Sequence, residues 1–496
     1  MLPAPRSGKP RLKSRRLSSS ETFYWHDYET SGADPTRDRP WQFAGIRTDC
    51  DFTPIGEPLT LYARPTPDRL PHPAAIRVTG ITPQLATDKG LPEAAFMAQI
   101  HAELARPNTC GIGYNSIRFD DEVTRFSLWR NLRDPYAREW QNGNSRWDLL
   151  DVTRAYSALS PEGIHWPLRD DGQVSFRLED LTASNGIEHG AAHDALADVL
   201  ATIALAKILK LANPELFNTL YRQRGKRAIT GLIDVQQLAP LVHVSGMYGA
   251  ARHNLAVIAP VAWHPDNASE VICVDLAHAQ DFLDLEPETL KARLFSPSAD
   301  LPEGVERPPL KTIRLNRAPV LLPVQWVAGP VAERLQLDGD RHRANLAHLR
   351  ERRAADRDAF TRQFQQVWQG RDFAPKTNPD HMLYDGFVSD ADRSLCEQVI
   401  AADPAALATQ SFPFADARLP ELLFRYRARN YPESLSAEEA AEWRAHCESE
   451  WREGDFTLPQ FHQALAEERA NPMMTEETRS ALDHLEAWVA ALSAEG

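Results

Sequence analysis

Asp27 and Glu29 close the apolar, aromatic run Phe23-Tyr24-Trp25-His26-Asp27-Tyr28-Glu29-Thr30. A strand alternates its side chains with period two, so both carboxylates would leave the same face. Desolvating a carboxylate is costly unless a cation compensates, and Mg²⁺ with its preference for hard oxygen donors is a natural one. A second acidic site lies in Gly113-Tyr114-Asn115-Ser116-Ile117-Arg118-Phe119-Asp120-Asp121-Glu122, where an apolar strand turns into a helix. Asp121 and Glu122 are expected to serve that helix N-terminus. Asp120, preceded by an aromatic, is the better metal ligand. A third site follows in Glu188-His189-Gly190-Ala191-Ala192-His193-Asp194-Ala195-Leu196-Ala197-Asp198. Both His189 with Asp194 and His193 with Asp198 fit the spacing His-x-x-x-x-Asp. Four carboxylates and a histidine are what two-metal phosphoryl chemistry requires. Two ions about 3.5–4 Å apart clamp the attacking water and the leaving oxygen, and an imidazole takes the water's proton.

The elements that must hold these residues read as an α/β domain from Thr22 to about Leu211. Strands are expected at Phe23–Tyr28, Gln42–Thr48 and Cys110–Tyr114, with helices at Glu93–Leu104, Asp121–Leu132, Leu149–Ser157 and Ala195–Leu211. From Asn213 to Gly329 the chain is richer in Pro and β-branched residues, with strands at Leu241–Val244, Val271–Val274 and Thr312–Leu315. Beyond Val331 amphipathic helices take over. The expected units are therefore a basic disordered tail (1–21), an α/β domain (22–212), a mostly β domain with linking helices (213–365) and a helical domain (366–496).

At 496 residues the chain exceeds a single core. No apolar run approaches a bilayer span, so a soluble protein is expected. The five cysteines are scattered without a CxxC pair, which excludes a cysteine zinc site and fits a reducing cytoplasm. A net charge of −14 argues against nonspecific coating of duplexes, though not against a nucleic-acid enzyme whose positive field is local. The tail gathers Arg6, Lys9, Arg11, Lys13, Arg15 and Arg16 without an acid and lacks the apolar stretch of a secretion signal.

The order Asp-x-Glu, Asn-x-x-x-Phe-Asp, His-x-x-x-x-Asp resembles the DEDD superfamily of 3′→5′ exonucleases, in the branch with a histidine base. Within it the chain is most similar to the bacterial exonuclease I family. The likeness is carried by His26-Asp27-Tyr28-Glu29-Thr30, Thr79-Gly80-Ile81-Thr82-Pro83-Gln84, Arg118-Phe119-Asp120-Asp121-Glu122 and Ser145-Arg146-Trp147-Asp148. It continues through Pro240-Leu241-Val242-His243-Val244-Ser245-Gly246-Met247, Ser389-Asp390-Ala391-Asp392-Arg393 and Tyr426-Arg427-Ala428-Arg429-Asn430.

The resemblance implies a ribonuclease H-like exonuclease domain with a mixed sheet and flanking helices. An SH3-like barrel-containing domain and an all-α C-terminal domain would follow, C-shaped overall. It implies an enzyme that degrades single-stranded DNA from the 3′ end to 5′-mononucleotides, in DNA repair, recombination and mismatch-repair excision. Asp27, Glu29 and Asp198 would ligate the catalytic metal, Asp27 bridging and Asp120 supporting the second of two Mg²⁺ ions, for which Mn²⁺ substitutes. His193 would be the general base, because family members place a His-Asp-Ala run at the helix start. Glu29 would also touch the substrate. Arg125, Tyr136, Trp140 and Arg154 would contact DNA, and Arg177 would grip phosphate near the scissile end. Trp129, Trp147 and Phe126, in the same basic and aromatic stretch, read as core. The implied partners are single-stranded DNA and the C-terminal tail of single-stranded DNA-binding protein, for a cytoplasmic monomer. The Arg341–Arg357 stretch is a candidate for DNA or that tail, or a solvated helix face. The rival readings are an RNA 3′-exonuclease of the same superfamily and a catalytically silent single-strand-binding scaffold. The long extension beyond the nuclease domain speaks against the first, and the filled acidic positions against the second.

Overall fold

A computed structural model describes residues 21–188, 194–278, 282–370 and 375–494. The basic tail lies outside the described residues apart from Glu21, as do both candidate histidines, His189 and His193.

The aromatic run around Asp27 forms β1 (Thr22–Thr30), the centre of a five-stranded sheet. Its companions are β2 (Pro40–Thr48), β3 (Leu59–Tyr62), β4 (Thr109–Gly113) and β5 (Ser145–Asp148), in the order β3-β2-β1-β4-β5. β3, β2 and β1 are antiparallel, whereas β1, β4 and β5 are parallel. On one face, Phe23, Trp25, Ile112 and Trp147 pack against Val199, Leu205 and Leu209 of the helix Ala195–Ala212. On the other, Tyr24, Tyr28 and Phe43 meet Phe96, Ile100 and Val123 of the helices Glu93–Leu104 and Asp120–Arg130. Trp147 is core, as its pattern suggests, and Phe126 and Trp129 pack against the C-terminal helices.

The second domain is an antiparallel sheet of β6 (Leu241–Val244), β7 (Leu255–Trp263), β8 (Glu270–Asp275), β9 (Leu310–Arg314) and β10 (Val320–Pro323), in the order β10-β6-β7-β8-β9. The edge strands β9 and β10 are joined by the short turn 315–319. β7 escapes the sequence pattern because Pro260 argues against a strand; here it sits at a register shift that accommodates it.

Two expected boundaries move. The helix Pro214–Arg222 turns back, setting Phe217 and Tyr221 edge-on against Trp147, so it belongs to the nuclease core. The helix Arg357–Trp368 runs through residue 365 and packs Phe360 and Phe364 with the second domain, which therefore extends past Trp368. Among the described residues beyond β10 there are only helices. The C-terminal ones pack Phe461, Leu482 and Leu485 onto Trp41, Leu70 and Ile76 of the nuclease domain.

Candidate active site

β1 presents Asp27 and Glu29 from one face, opposite Ala44 and Gln42 of β2, and a register shift follows immediately after Glu29. Such an irregularity bends a strand end and re-aims its side chains. Asp198 arrives from the first turn of the helix Ala195–Ala212. Asp27, Glu29 and Asp198 each turn one carboxylate oxygen to a common point, all within 4.8 Å of one another.

That helix begins where it does because Asp194 caps it, accepting from Ala197 N at 3.2 Å. Gln42, beside Glu29, braces the same turn: its Nε2 donates to Asp194 Oδ2 at 3.1 Å and its Oε1 accepts from Ala195 N at 3.2 Å. One buried amide thus ties the strand that carries Glu29 to the helix that carries Asp198. Asp194 is the cap and Asp198 the member of the acidic cluster. Gln42 has no assigned role in the sequence, because only the fold brings it to the Asp194 cap.

Asp120 opens the helix Asp120–Arg130, and its Oδ1 accepts from Tyr28 N, between the two acids of β1, at 3.1 Å. The turn before it is shaped by Asp148, whose carboxylate accepts from Asn115 N at 2.9 Å and Ile117 N at 3.1 Å. Gly113 is required there, since a Cβ would lie 2.7 Å from that of Ser116 and 2.9 Å from the His26 carbonyl.

Burial, then repulsion from Asp120, Glu29 and Asp198, holds the Asp27 carboxyl well above the usual carboxylate range. Burial, then Asp198 and Asp120, pushes Glu29 up to about 9. Asp120 is raised as well, chiefly by burial. Among the described residues no cationic side chain contributes to the Asp27 or Glu29 shift. Clustered carboxylates that raise one another and offer only oxygen donors fit a hard divalent cation such as Mg²⁺.

Three family models match consecutive parts of the chain: an exonuclease over residues 24–206, an exonuclease I SH3-like domain over 224–369 and an exonuclease I C-terminal domain over 377–492. The chain is 48% identical to the exodeoxyribonuclease I of Escherichia coli strain K12, covering 90% of this chain and 92% of that protein. The crystal structure of E. coli exonuclease I in complex with a dA16 oligonucleotide matches with a TM-score of 0.90 at 45% identity, covering 95% of this chain and 100% of that one. The chain belongs to the exodeoxyribonuclease I family. A zinc-bound form of the E. coli exonuclease I–single-stranded DNA complex is equally similar, with a TM-score of 0.90 at 44% identity and 95% and 99% of the two chains covered.

In this exodeoxyribonuclease I the expected DNA contacts separate into exposed and buried groups. Trp140 is 65% exposed, and the Arg177 side chain is 73% exposed, 3.3 Å from Glu179. Tyr136 is half-buried, its ring 6.0 Å from that of Phe387, which is 90% exposed, and 6.5 Å from that of Tyr384. Phe387 and Tyr384, contributed by the helical domain, had no assigned role in the sequence, because only the fold brings them to Tyr136. Arg154 lies partly covered, donating to Asp151 at 2.6 Å and packed under Gly246 of the β domain.

Arg125 belongs to the buried group. It is buried, its Nε and Nη2 donate to Glu139 at 2.7 and 2.8 Å, and its Nη1 donates to Glu122 at 2.9 Å. Asp121 and Glu122 lie in the first turn of the helix Asp120–Arg130, as expected, and are in addition buried and paired with arginines. The Arg341–Arg357 stretch is partly neutralised locally, Arg343 by Asp340 at 2.5 Å and Arg352 by Asp284.

Proposed function

We propose that this exodeoxyribonuclease I family member removes 5′-mononucleotides from the 3′ end of single-stranded DNA, as a cytoplasmic monomer serving DNA repair. Asp27, Glu29, Asp120 and Asp198 hold two Mg²⁺ ions, for which Mn²⁺ substitutes. The observation that carries this reading is the meeting of one carboxylate oxygen each from Asp27, Glu29 and Asp198 within 4.8 Å of one another. Bound there, the ions supply a water nucleophile at neutral pH and charge stabilisation for the departing 3′-oxygen. The chain's own part is to aim the carboxylates. Gln42 locks Glu29 to the Asp198 helix, and the Tyr28 N–H orients Asp120. His193, one residue before the Asp194 cap, is positioned in the chain to accept the proton of the attacking water.

Trp140, Tyr136, Tyr384 and Phe387 offer faces for base stacking, each worth about 1–3 kcal/mol, and Arg177 a cation for phosphate. Sequence-tolerant stacking suits an enzyme that must pass every base. The acidic tail of single-stranded DNA-binding protein docks on the Arg341–Arg357 stretch, where Arg350 and Arg353 donate to the carbonyls of Gln237 and Gln236 and keep their charge. A time course on a 5′-labelled single strand, beside its duplex and the matching RNA, tests the activity. Expected is a ladder shortening from the 3′ end on the DNA single strand alone, dependent on Mg²⁺. Equal digestion of RNA, or immediate release of the 5′ label, contradicts it.

A further inference from the structure

The three successive acids that open the helix Asp120–Arg130 face three different environments. Asp120 faces the metal pocket, and Asp121 accepts from Arg138 at 2.6 Å and Arg146 at 2.8 Å within the nuclease domain. Glu122 instead gathers side chains from all three domains. Its Oε1 accepts from Arg125 Nη1 of its own helix at 2.9 Å and from Arg317 Nη2, in the turn between β9 and β10, at 2.7 Å. Its Oε2 accepts from the hydroxyl of Tyr384 in the helical domain. The carboxylate is 7% exposed, and Arg125 Nη1 also donates to the Tyr384 hydroxyl at 3.1 Å, closing the cluster.

Tyr384 is tied by its hydroxyl while remaining 48% exposed, with its centroid 6.5 Å from that of Tyr136. Its ring also packs edge to face with that of Phe126 at 5.8 Å, and a half-exposed ring anchored at its tip is a pre-set stacking surface, because its rotamer is fixed before any base arrives. Arg146 reinforces the same seam, its Nη2 donating to the Asn316 carbonyl of the β9–β10 turn at 3.1 Å.

We infer that Glu122 is a positioning residue for substrate: it pins Tyr384 and Arg317, and through them the helical and β domains, beside the turn that carries Asp120. The inference rests on the single-strand exonuclease activity proposed above. A strand reaching the metal pocket then meets an aromatic ring tied to the same first helical turn that carries Asp120. A carboxylate is needed because three donors from different elements converge on it, and an ionised acceptor makes stronger bonds than a neutral one.

The test compares Glu122→Ala, Glu122→Gln and Tyr384→Phe in steady-state digestion of a long oligothymidylate. Glu122→Ala is expected to raise KM about tenfold, the scale of one stacked base, with kcat changing far less. Tyr384→Phe keeps the ring and loses only the anchoring hydroxyl, so it should raise KM in the same direction by a smaller factor. Glu122→Gln should fall between wild type and Glu122→Ala, and the double variant Glu122→Ala/Tyr384→Phe should be no worse than Glu122→Ala. Multiplicative effects in the double variant, or a fall in kcat at constant KM, would overturn the inference. If Glu122→Ala fails to fold, Tyr384→Phe decides by itself, and an unchanged KM there overturns it. A wild-type protein inert on single strands would instead overturn the activity on which the inference rests.

Discussion

Asp68 and Asp380, at the seam between the nuclease and helical domains, are as buried as Glu29 and Asp120 in the metal pocket. Their carboxyls nevertheless lie on opposite sides of the ordinary range. Burial pushes all four up. At the seam Arg429 and Arg39 more than reverse it for Asp68, and Arg429, Arg39 and Arg425 do so for Asp380. Arg429 Nη2 donates to Asp68 at 2.9 Å and its Nη1 to Asp380 at 3.0 Å, while Arg39 reaches Asp68 at 2.9 Å. In the pocket the neighbours of Glu29 are other acids, and its carboxyl rises to about 9. A buried acid that holds domains together comes with its cation in the sequence. The acids around Glu29 raise one another instead, the electrostatic setting that a divalent cation relieves.

Removing a member of each set should expose the contrast most strongly in activity. Asp27→Asn or Asp198→Asn should slow single-turnover cleavage roughly a thousandfold or more, about 4 kcal/mol of barrier, while binding to single strands persists. Stability should move the other way. Asp380→Ala strands buried arginines and should cost about 3–5 kcal/mol, lowering the thermal transition. Asp27→Asn relieves repulsion and should raise the transition of the metal-free protein.

The pH dependence sharpens the same point. The Glu29 carboxyl is raised in the folded state, so between its ordinary value of 4.5 and about 9 the folded protein binds more protons than the unfolded chain. Metal-free stability should therefore fall as pH rises through that window, and saturating Mg²⁺ should flatten the fall. Asp68 is depressed, so its contribution is intact above the ordinary carboxylate range and is lost as pH drops below it. Thermal melts across pH, with Mg²⁺ and with chelator, check both signs. The smallest effects belong to the exposed strand contacts. Trp140→Ala should weaken single-strand affinity by about 1–3 kcal/mol. Arg177→Ala should reduce the slope of log affinity against log salt by about 0.7, the loss of one phosphate contact.

Much of the pocket was legible in the sequence because it depends on local rules. Period two sets Asp27 and Glu29 on one face, and the Ala/Leu-rich helix after Asp194 fixes Asp198 on its first turn. Asp121 and Glu122 read as caps because acids in a first turn usually favour the helix dipole. Their true partners, Arg138, Arg146, Arg317 and Tyr384, are set by tertiary structure and leave no local trace. The pairing of Arg125 with Glu139 leaves no local trace either, and becomes visible only once both are folded. The Tyr426-Arg427-Ala428-Arg429 segment, part of the family likeness in the sequence, places Arg429 at the seam.

Anomalous diffraction from a crystal soaked in Mn²⁺ addresses the central claim most directly. The account predicts a strong peak ligated by oxygens of Asp27, Glu29 and Asp198, lost in the Asp198→Asn variant. A pocket without anomalous density at saturating Mn²⁺, or a peak that persists unchanged in that variant, would contradict it.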